Sequence, residues 1–335
     1  MAKFPVLSFS RSHWPALALG AAVLAVYALT MNPDIPGGDA GELVAAAHTL
    51  GVAHPPGYPL FVLLGKIFTW IPWGSIWWRV GLLSAVSNAA AAALLSECAK
   101  RWSGSWAAGV VTGGLFAFSP TVWEYATGAE VFGLNHLILA AFLLVTLNSF
   151  DRPRPGLSLL ALFLAGLGIS NQHASIFFTI PLIATIHRAP LLASKGKALI
   201  AFCLGLSPYL FLPISAAWVR SPISWGDTAS VSGFLGHFLR SEYGTFSLVS
   251  GGSGAFEPIW AVFADFLKNA FEQSLVLGAV LAIAAGAIRP RDGRRRTFVL
   301  TALLSTLAYL LVFSARAHLP QGQALAWSVL ARFWQ

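Results

Sequence analysis

Long apolar runs separated by short polar breaks recur along most of the chain, and no other feature limits its fold as strongly. They lie at residues 14–31, 79–98, 106–119, 131–150, 157–169, 174–187, 198–217, 274–288 and 298–313. A helix needs about 20 predominantly apolar residues to cross a bilayer, so some runs reach that length and others fall short. Composition points the same way. Of 335 residues, 56% are hydrophobic and only 10% are charged, whereas a soluble globular chain carries about 25% charged residues. Too few polar side chains remain to cover a water-facing surface. A soluble enzyme, a disordered chain and a coiled coil are excluded. The pattern predicts an all-α polytopic membrane protein with about nine transmembrane helices.

Charge orients the bundle. The net charge of +8 comes from 21 Lys/Arg against 13 Asp/Glu. It is read as the basic cytoplasmic loops of a membrane protein rather than as a nucleic-acid surface. With a cytoplasmic N-terminus, about fourteen Lys/Arg fall inside, as the positive-inside rule expects. Residues 60–71 contain Lys66 and are bounded by Pro59 and Pro72, so they read as an interfacial or re-entrant helix. Counting them as a crossing would put the basic cluster at 289–296 outside. The first run is long for a signal peptide and reads as an uncleaved helix. Cys98 and Cys203 are expected to be unpaired, with no disulfide or metal framework. The chain reads as one membrane domain, 1–314, with a short tail at 315–335 for which truncation is an open reading. Its expected place is the inner (plasma) membrane.

Most of the acids fall on the non-cytoplasmic side, where two loops are long, at 32–78 and about 218–257. The first carries Pro36-Gly37-Gly38-Asp39-Ala40-Gly41-Glu42-Leu43. Asp39 stands where a helix N-cap would stand, and Glu42 occupies the capping-box position three residues on. A capped interfacial helix is one reading. A carboxylate serving as general base at the membrane surface is the other. His54-Pro55-Pro56-Gly57-Tyr58-Pro59 makes a stiff loop in which His54 suits a phosphate and Tyr58 an aromatic belt. Glu130 enters the 131–150 helix near the outer leaflet, with Asn135 about one and a half turns on. Asn171-Gln172-His173 breaks two apolar runs and reads as a tight outer turn or a helix end lining a polar cavity. In the second loop, Trp225-Gly226-Asp227 precedes an amphipathic stretch. Arg220 or Arg240 there suits a lipid phosphate. No Walker loop, GxSxG elbow, HExxH or DxD motif occurs, so any sugar donor is expected to be lipid-linked.

Taken in order, Gly37–Leu43, His54–Leu60, Glu130–Asn135, Gly168–His173 and the Trp225-Gly226-Asp227 loop resemble the protein O-mannosyl-transferase family typified by transmembrane protein 260, with its bacterial relatives. The likeness covers roughly residues 20–245 and is densest over 30–180. It implies a GT-C type membrane glycosyltransferase with a large first outer loop. Such an enzyme moves a sugar such as mannose from a polyprenyl-phosphate carrier to an acceptor hydroxyl, inverting the anomeric centre. The resemblance makes Asp39 the general base and Glu42 the second candidate. His54, His173 and Arg220 suit the phosphate side, and Tyr58 and Trp225 suit stacking on sugar or prenyl surface. Glu130, Asn135, Asn171 and Asp227 complete the expected substrate-binding set. The expected partners are membrane lipid, the lipid-linked donor and a protein or glycan acceptor, with no nucleic acid. No cofactor is implied beyond the donor, and metal dependence stays open. A transporter or flippase of a lipid-linked or sugar substrate, and an inactive truncated homologue, are the alternative readings. The leading one expects Asp39, Glu130 and His173 to meet at one cavity open to the outer leaflet.

Overall fold

The computed structural model describes residues 13–151, 154–241, 259–273 and 293–312, and all of its regular elements there are helical. Helix α1 is Trp14–Leu29, α2 Ala40–Thr49, α3 Pro59–Phe68 and α4 Ile76–Ser103. Then follow α5 Trp106–Ala117, α6 Pro120–Ala126, α7 Val131–Asp151 and α8 Pro155–Asn171. The second half holds α9 Ile176–Leu182, α10 Arg188–Leu192, α11 Lys195–Leu206, α12 Phe211–Ile214, α13 Val231–Phe238, α14 Ile259–Gln273 and α15 Gly293–Val312.

Helix α4 is the central post, packed by α1, α5 and α7. Its small side chains make this possible. A Cβ on Gly20 of α1 would lie 3.2 Å from Ala93, and one on Gly113 of α5 would lie 2.5 Å from the Ala92 carbonyl oxygen. Gly133 of α7 meets the Ser84 carbonyl oxygen at 2.8 Å in the same sense. Small residues let helix backbones approach closely, which is where dispersion contacts gain most in an apolar medium. The Ala89–Ala93 stretch thus serves close packing. Helices α8 and α11 repeat the device with Gly166 and Gly205.

Several buried polar groups in the bundle are paired across helices. His136 of α7 bonds Asn88 of α4 at 2.9 Å. His187 lies between Thr146 at 3.1 Å and Ser158 at 3.0 Å. Tyr27 of α1 donates to the Ala117 carbonyl at 2.6 Å.

Three helical stretches are long and apolar enough to cross a membrane: Ile76–Ser103, Val131–Phe150 and Lys195–Val219. Trp14–Leu29, Trp106–Ala117, Pro155–Asn171 and His173–His187 are apolar but shorter. Nine full crossings therefore do not emerge from the described residues, and the run at 274–288 lies outside them, as does the tail at 315–335. The Lys195–Val219 stretch changes pitch at a 3₁₀ turn over Ser207–Leu210 and a π turn over Ser215–Val219, near Pro208 and Pro213. Proline removes an intrahelical donor and forces such adjustments.

The two ends of the bundle differ in chemistry. At one end, His13 before α1 bonds Glu97 near the end of α4 at 3.0 Å, and Arg101 pairs with Glu97 at 3.2 Å. Arg295 at the start of α15 lies 5.2 Å from the Trp102 ring, and Lys100 lies 5.2 Å from the Trp106 ring. The start of α1 and the end of α4 therefore share an end, and α2 and the ten-residue α3 come between these two helices in the chain. This end gathers Arg295 with Lys100 and Arg101. The opposite end carries α2, α3, α6, α13 and the loops between them.

Candidate functional site

The Pro36-Gly37-Gly38 turn leads into α2, with Gly38 at φ +81. Asp39 occupies the N-cap position, half-buried, but its backbone is already helical and its side chain makes no capping hydrogen bond. The capped-helix reading therefore fails. Glu42 does not reach back to close a capping box either. Its carboxylate turns to the proline loop instead, accepting from the His54 backbone N–H at 2.5 Å and facing His54 Nδ1 at 3.0 Å. Burial by itself would raise the Glu42 pKa. The hydrogen bonds and charge of His54, with a smaller contribution from His237, outweigh it and hold the carboxyl below its ordinary value.

The proline loop ends in a strained residue. Tyr58 lies at φ +43 immediately before Pro59. Proline pushes its predecessor towards extended backbone, and a bulky residue in the left-handed region costs about 1–3 kcal/mol. The surrounding contacts hold it there. His54 Nε2 lies 3.3 Å from the Tyr58 hydroxyl, and the two rings meet edge-on at 5.1 Å.

The 215–241 segment straps this loop down. Trp225 N–H donates to the Val52 carbonyl at 2.9 Å, and Val52 N–H donates to Ser224 at 3.2 Å. Ser215 donates to the Leu50 carbonyl at 2.6 Å, and Ser221 pairs with Thr49 at 2.7 Å. From α13, His237 Nε2 bonds the Ala53 carbonyl at 3.0 Å. Burial pushes the His237 pKa down to about 4, opposed by the Ala53 bond and Glu42 and reinforced by His54. The buried Nδ1 of His237 has no partner among the described residues. The Trp225 ring stands edge-on to His54 at 6.4 Å.

Beside Tyr58 opens a cavity of about 550 Å³. Its bore is apolar, formed by Ile176, Phe177, Ile180, Phe238, Leu239 and their neighbours, with Ala308 of α15. Its polar wall is Tyr58, Gln172, His173 and Arg240. His173 Nε2 lies 2.7 Å from the Tyr209 hydroxyl, and Phe238 packs on both rings at 5.0 and 4.8 Å. The buried Gln172 Oε1 has no partner among the described residues, and it faces a cavity whose walls supply few polar groups.

The expected residues thus separate. Tyr58 and His173 line the cavity, and His54 and Glu42 stand behind Tyr58. Asp39 and Glu130 are not among its lining residues, so the three-way meeting of Asp39, Glu130 and His173 does not occur at this cavity. Glu130 is buried at the head of α7, its backbone N–H and carbonyl both held by the Ser84 hydroxyl at 3.0 and 2.9 Å. Asn171 donates to the Val131 carbonyl at 2.9 Å and ties the end of α8 to that head, and Asn135 is buried one turn further in. Arg220 is exposed, at φ +49, and bonds back to the Ala217 carbonyl at 3.3 Å. Its guanidinium is turned to its own chain, and the arginine at the cavity is Arg240. Asp227 is also exposed. Tyr209 and Gln172 are site residues the sequence reasoning did not single out. Among the described residues, no group of three or more His, Cys, Asp or Glu is placed to hold a metal ion.

Comparison with known proteins agrees with the resemblance. Residues 39–190 match the family described as the Protein O-mannosyl-transferase TMEM260 N-terminal domain. The chain is 37% identical to Protein O-mannosyl-transferase TMEM260 of Mus musculus, over 95% of this chain and 47% of that protein. It is 31% identical to Protein O-mannosyl-transferase tmem260 of Dictyostelium discoideum, over 92% of this chain and 41% of that protein. The chain therefore spans about half the length of the curated relatives it matches. No solved structure matches it. The family match begins at Asp39 and ends beyond the cavity's α9 wall, so residues 39–190 match the TMEM260 N-terminal-domain family, and the likeness to the two relatives runs over nearly all of this chain.

Proposed function

We propose that the chain is a membrane glycosyltransferase that moves mannose from a polyprenyl-phosphate carrier to an acceptor hydroxyl, on a protein or a glycan, with inversion at the anomeric carbon. The observation that carries this reading is the cavity. An apolar bore suits an isoprenoid chain, and Arg240 with Tyr58, Gln172 and His173 suits the phosphate and the sugar at its polar wall. The names of the relatives supply the sugar and the protein acceptor. Asp39, at the N-cap position of α2, is the proposed general base that takes the acceptor proton. Glu42 is committed to His54. The reaction belongs on the non-cytoplasmic face, a placement supported by the gathering of basic side chains at the opposite end of the bundle.

The test is transfer by membranes containing the protein, with a serine- and threonine-bearing peptide as acceptor. Mannose on a polyprenyl monophosphate is expected to be transferred with inversion, and nucleotide-linked mannose is not. Transfer from the nucleotide donor alone contradicts the reading. Movement of the lipid across the bilayer without a covalent product would replace it with a flippase.

A further inference from the structure

Glu42, His54 and Tyr58 come from α2, the proline loop and the start of α3, and they form one hydrogen-bonded line. Glu42 holds both the backbone N–H and Nδ1 of His54, at 2.5 and 3.0 Å, and His54 Nε2 faces the Tyr58 hydroxyl at 3.3 Å. An ionised carboxylate only accepts, so Nδ1 carries hydrogen and Nε2 is left for the phenol. The far end of the line is a wall residue of the cavity, on the wall that also holds Arg240 and Gln172. The chain keeps Tyr58 in the left-handed region before a proline to achieve this, and such outliers cluster where a side chain must be aimed.

We propose that this line presents the Tyr58 hydroxyl to an anionic phosphate ester at the polar wall of the cavity. The inference rests on the transfer reaction proposed above and assigns the leaving-group side of it. When His54 is protonated, Nε2–H donates to the Tyr58 oxygen, and the phenol hydrogen turns to the cavity. The imidazolium charge is balanced by Glu42. As the C1–O bond to phosphate breaks, the electron pair stays on the phosphate oxygen. The acceptor oxygen bonds C1, and its proton passes to the Asp39 carboxylate. No proton leaves Tyr58. Its hydrogen bond, with the imidazolium behind it, stabilises the second negative charge that the phosphate gains.

The groups around the line suit this role. His54 is faced by Glu42, by Tyr58, by the Trp225 edge and by His237 of α13. Burial keeps His237 neutral above about pH 4, so it does not compete for the positive charge. Tyr209 stands behind the same wall, bonded to His173 and packed on Phe238. In this arrangement Glu42 and His54 are positioning residues, and Tyr58 is the group that touches the substrate.

The test uses the full chain in detergent with polyprenyl monophosphate as ligand, inorganic phosphate as competitor and the transfer assay across pH. The variants are Tyr58→Phe, Glu42→Gln and Asp39→Asn, with melting temperatures for each. Tyr58→Phe is expected to lower kcat about a hundredfold, the usual effect of losing one such donor, with the acceptor KM unchanged. Glu42→Gln is expected to lower kcat in the same sense with the acceptor KM unchanged, since His54 Nδ1 loses the carboxylate that orients it. Both should bind polyprenyl phosphate more weakly than wild type, while Asp39→Asn binds it normally and fails to turn over. Inorganic phosphate should compete only poorly, because the apolar bore is left empty. Equal displacement by inorganic phosphate would make this a free-phosphate site and overturn the lipid assignment. Wild-type kinetics and binding in Tyr58→Phe, with wild-type transfer intact, overturn the line alone. A wild type that neither binds nor transfers ends the proposed function together with it. Should Glu42→Gln melt early, Tyr58→Phe decides by itself, since it removes one oxygen and no ring packing.

Discussion

Replacing Asp39 by Asn is expected to lower donor-dependent transfer about a thousandfold while the protein folds and binds lipid phosphate as before. The size follows from the role, since a positioned general base contributes about 10²–10⁴-fold. Asn matches Asp in shape and cannot take a proton. The specificity of the effect follows from local structure. The Asp39 side chain makes no capping bond to α2, so the substitution removes no cap from the helix. Helix α2 is held instead by Ala40, Leu43, Ala46 and Ala47 in the core and by the Glu42–His54 bonds, none of which the substitution touches. A thermal melt like that of wild type, with initial rates from lipid-linked mannose, checks both halves. Equal transfer by Asp39→Asn and wild type would remove Asp39 from the chemistry.

Gly51→Ala is expected to undo the site from the outside. A Cβ at residue 51 would fall 1.8 Å from the Ile223 carbonyl oxygen and 3.0 Å from its carbonyl carbon, both backbone atoms with little room to yield. Overpacking of this kind costs about 1–3 kcal/mol even when neighbours can shift. Here the neighbour is the strap itself, held to the loop by the Trp225–Val52, Val52–Ser224 and Ser221–Thr49 bonds. The strap is the softer partner and should lift. The same segment carries His237 against Ala53 and Arg240 into the cavity wall, so both would be misplaced. A displacement of about 1 Å in a positioning group can cost about a hundredfold in rate. Faster proteolytic cleavage between 221 and 240, together with a fall in transfer of that order, is the expected result. An unchanged cleavage rate and unchanged transfer would show that the strap does not position the site.

The helices were legible in the sequence because apolar runs and proline boundaries are local signals. The expected run at 79–98 lies within α4, and the one at 131–150 nearly coincides with α7. The short proline-bounded segment with Lys66 was legible as a short helix, and the structure has the ten-residue α3 there. Helix α6 had a readable signal in Ser119-Pro120, a cap position followed by proline at the first turn, inside what reads as a simple loop. Helix α14 was readable too, from Trp260, Phe263, Leu267 and Phe271 at helical spacing.

The site was legible only in its parts. The glycine turn, the proline loop and the Asn171-Gln172-His173 break stand out as local departures from apolar helix. Their joining does not. Glu42 meets His54 across twelve residues and a proline loop, and His237 reaches Ala53 across 184. Spacing suggested that Glu42 would close a capping box, and a tertiary partner won instead. The choice between Arg220 and Arg240 likewise depends on backbone geometry. Both stand at positive φ, but Arg220 folds back on its own chain and Arg240 reaches the cavity.

The most direct measurement is photo-cross-linking with a polyprenyl monophosphate that carries its reactive group beside the phosphate, on the protein in membranes, followed by mapping of the adducts. The account predicts labels on Tyr58, on 172–177 and on 238–240, suppressed by excess unlabelled polyprenyl phosphate. Labels spread over the lipid-facing sides of the bundle, and indifferent to that excess, would contradict it.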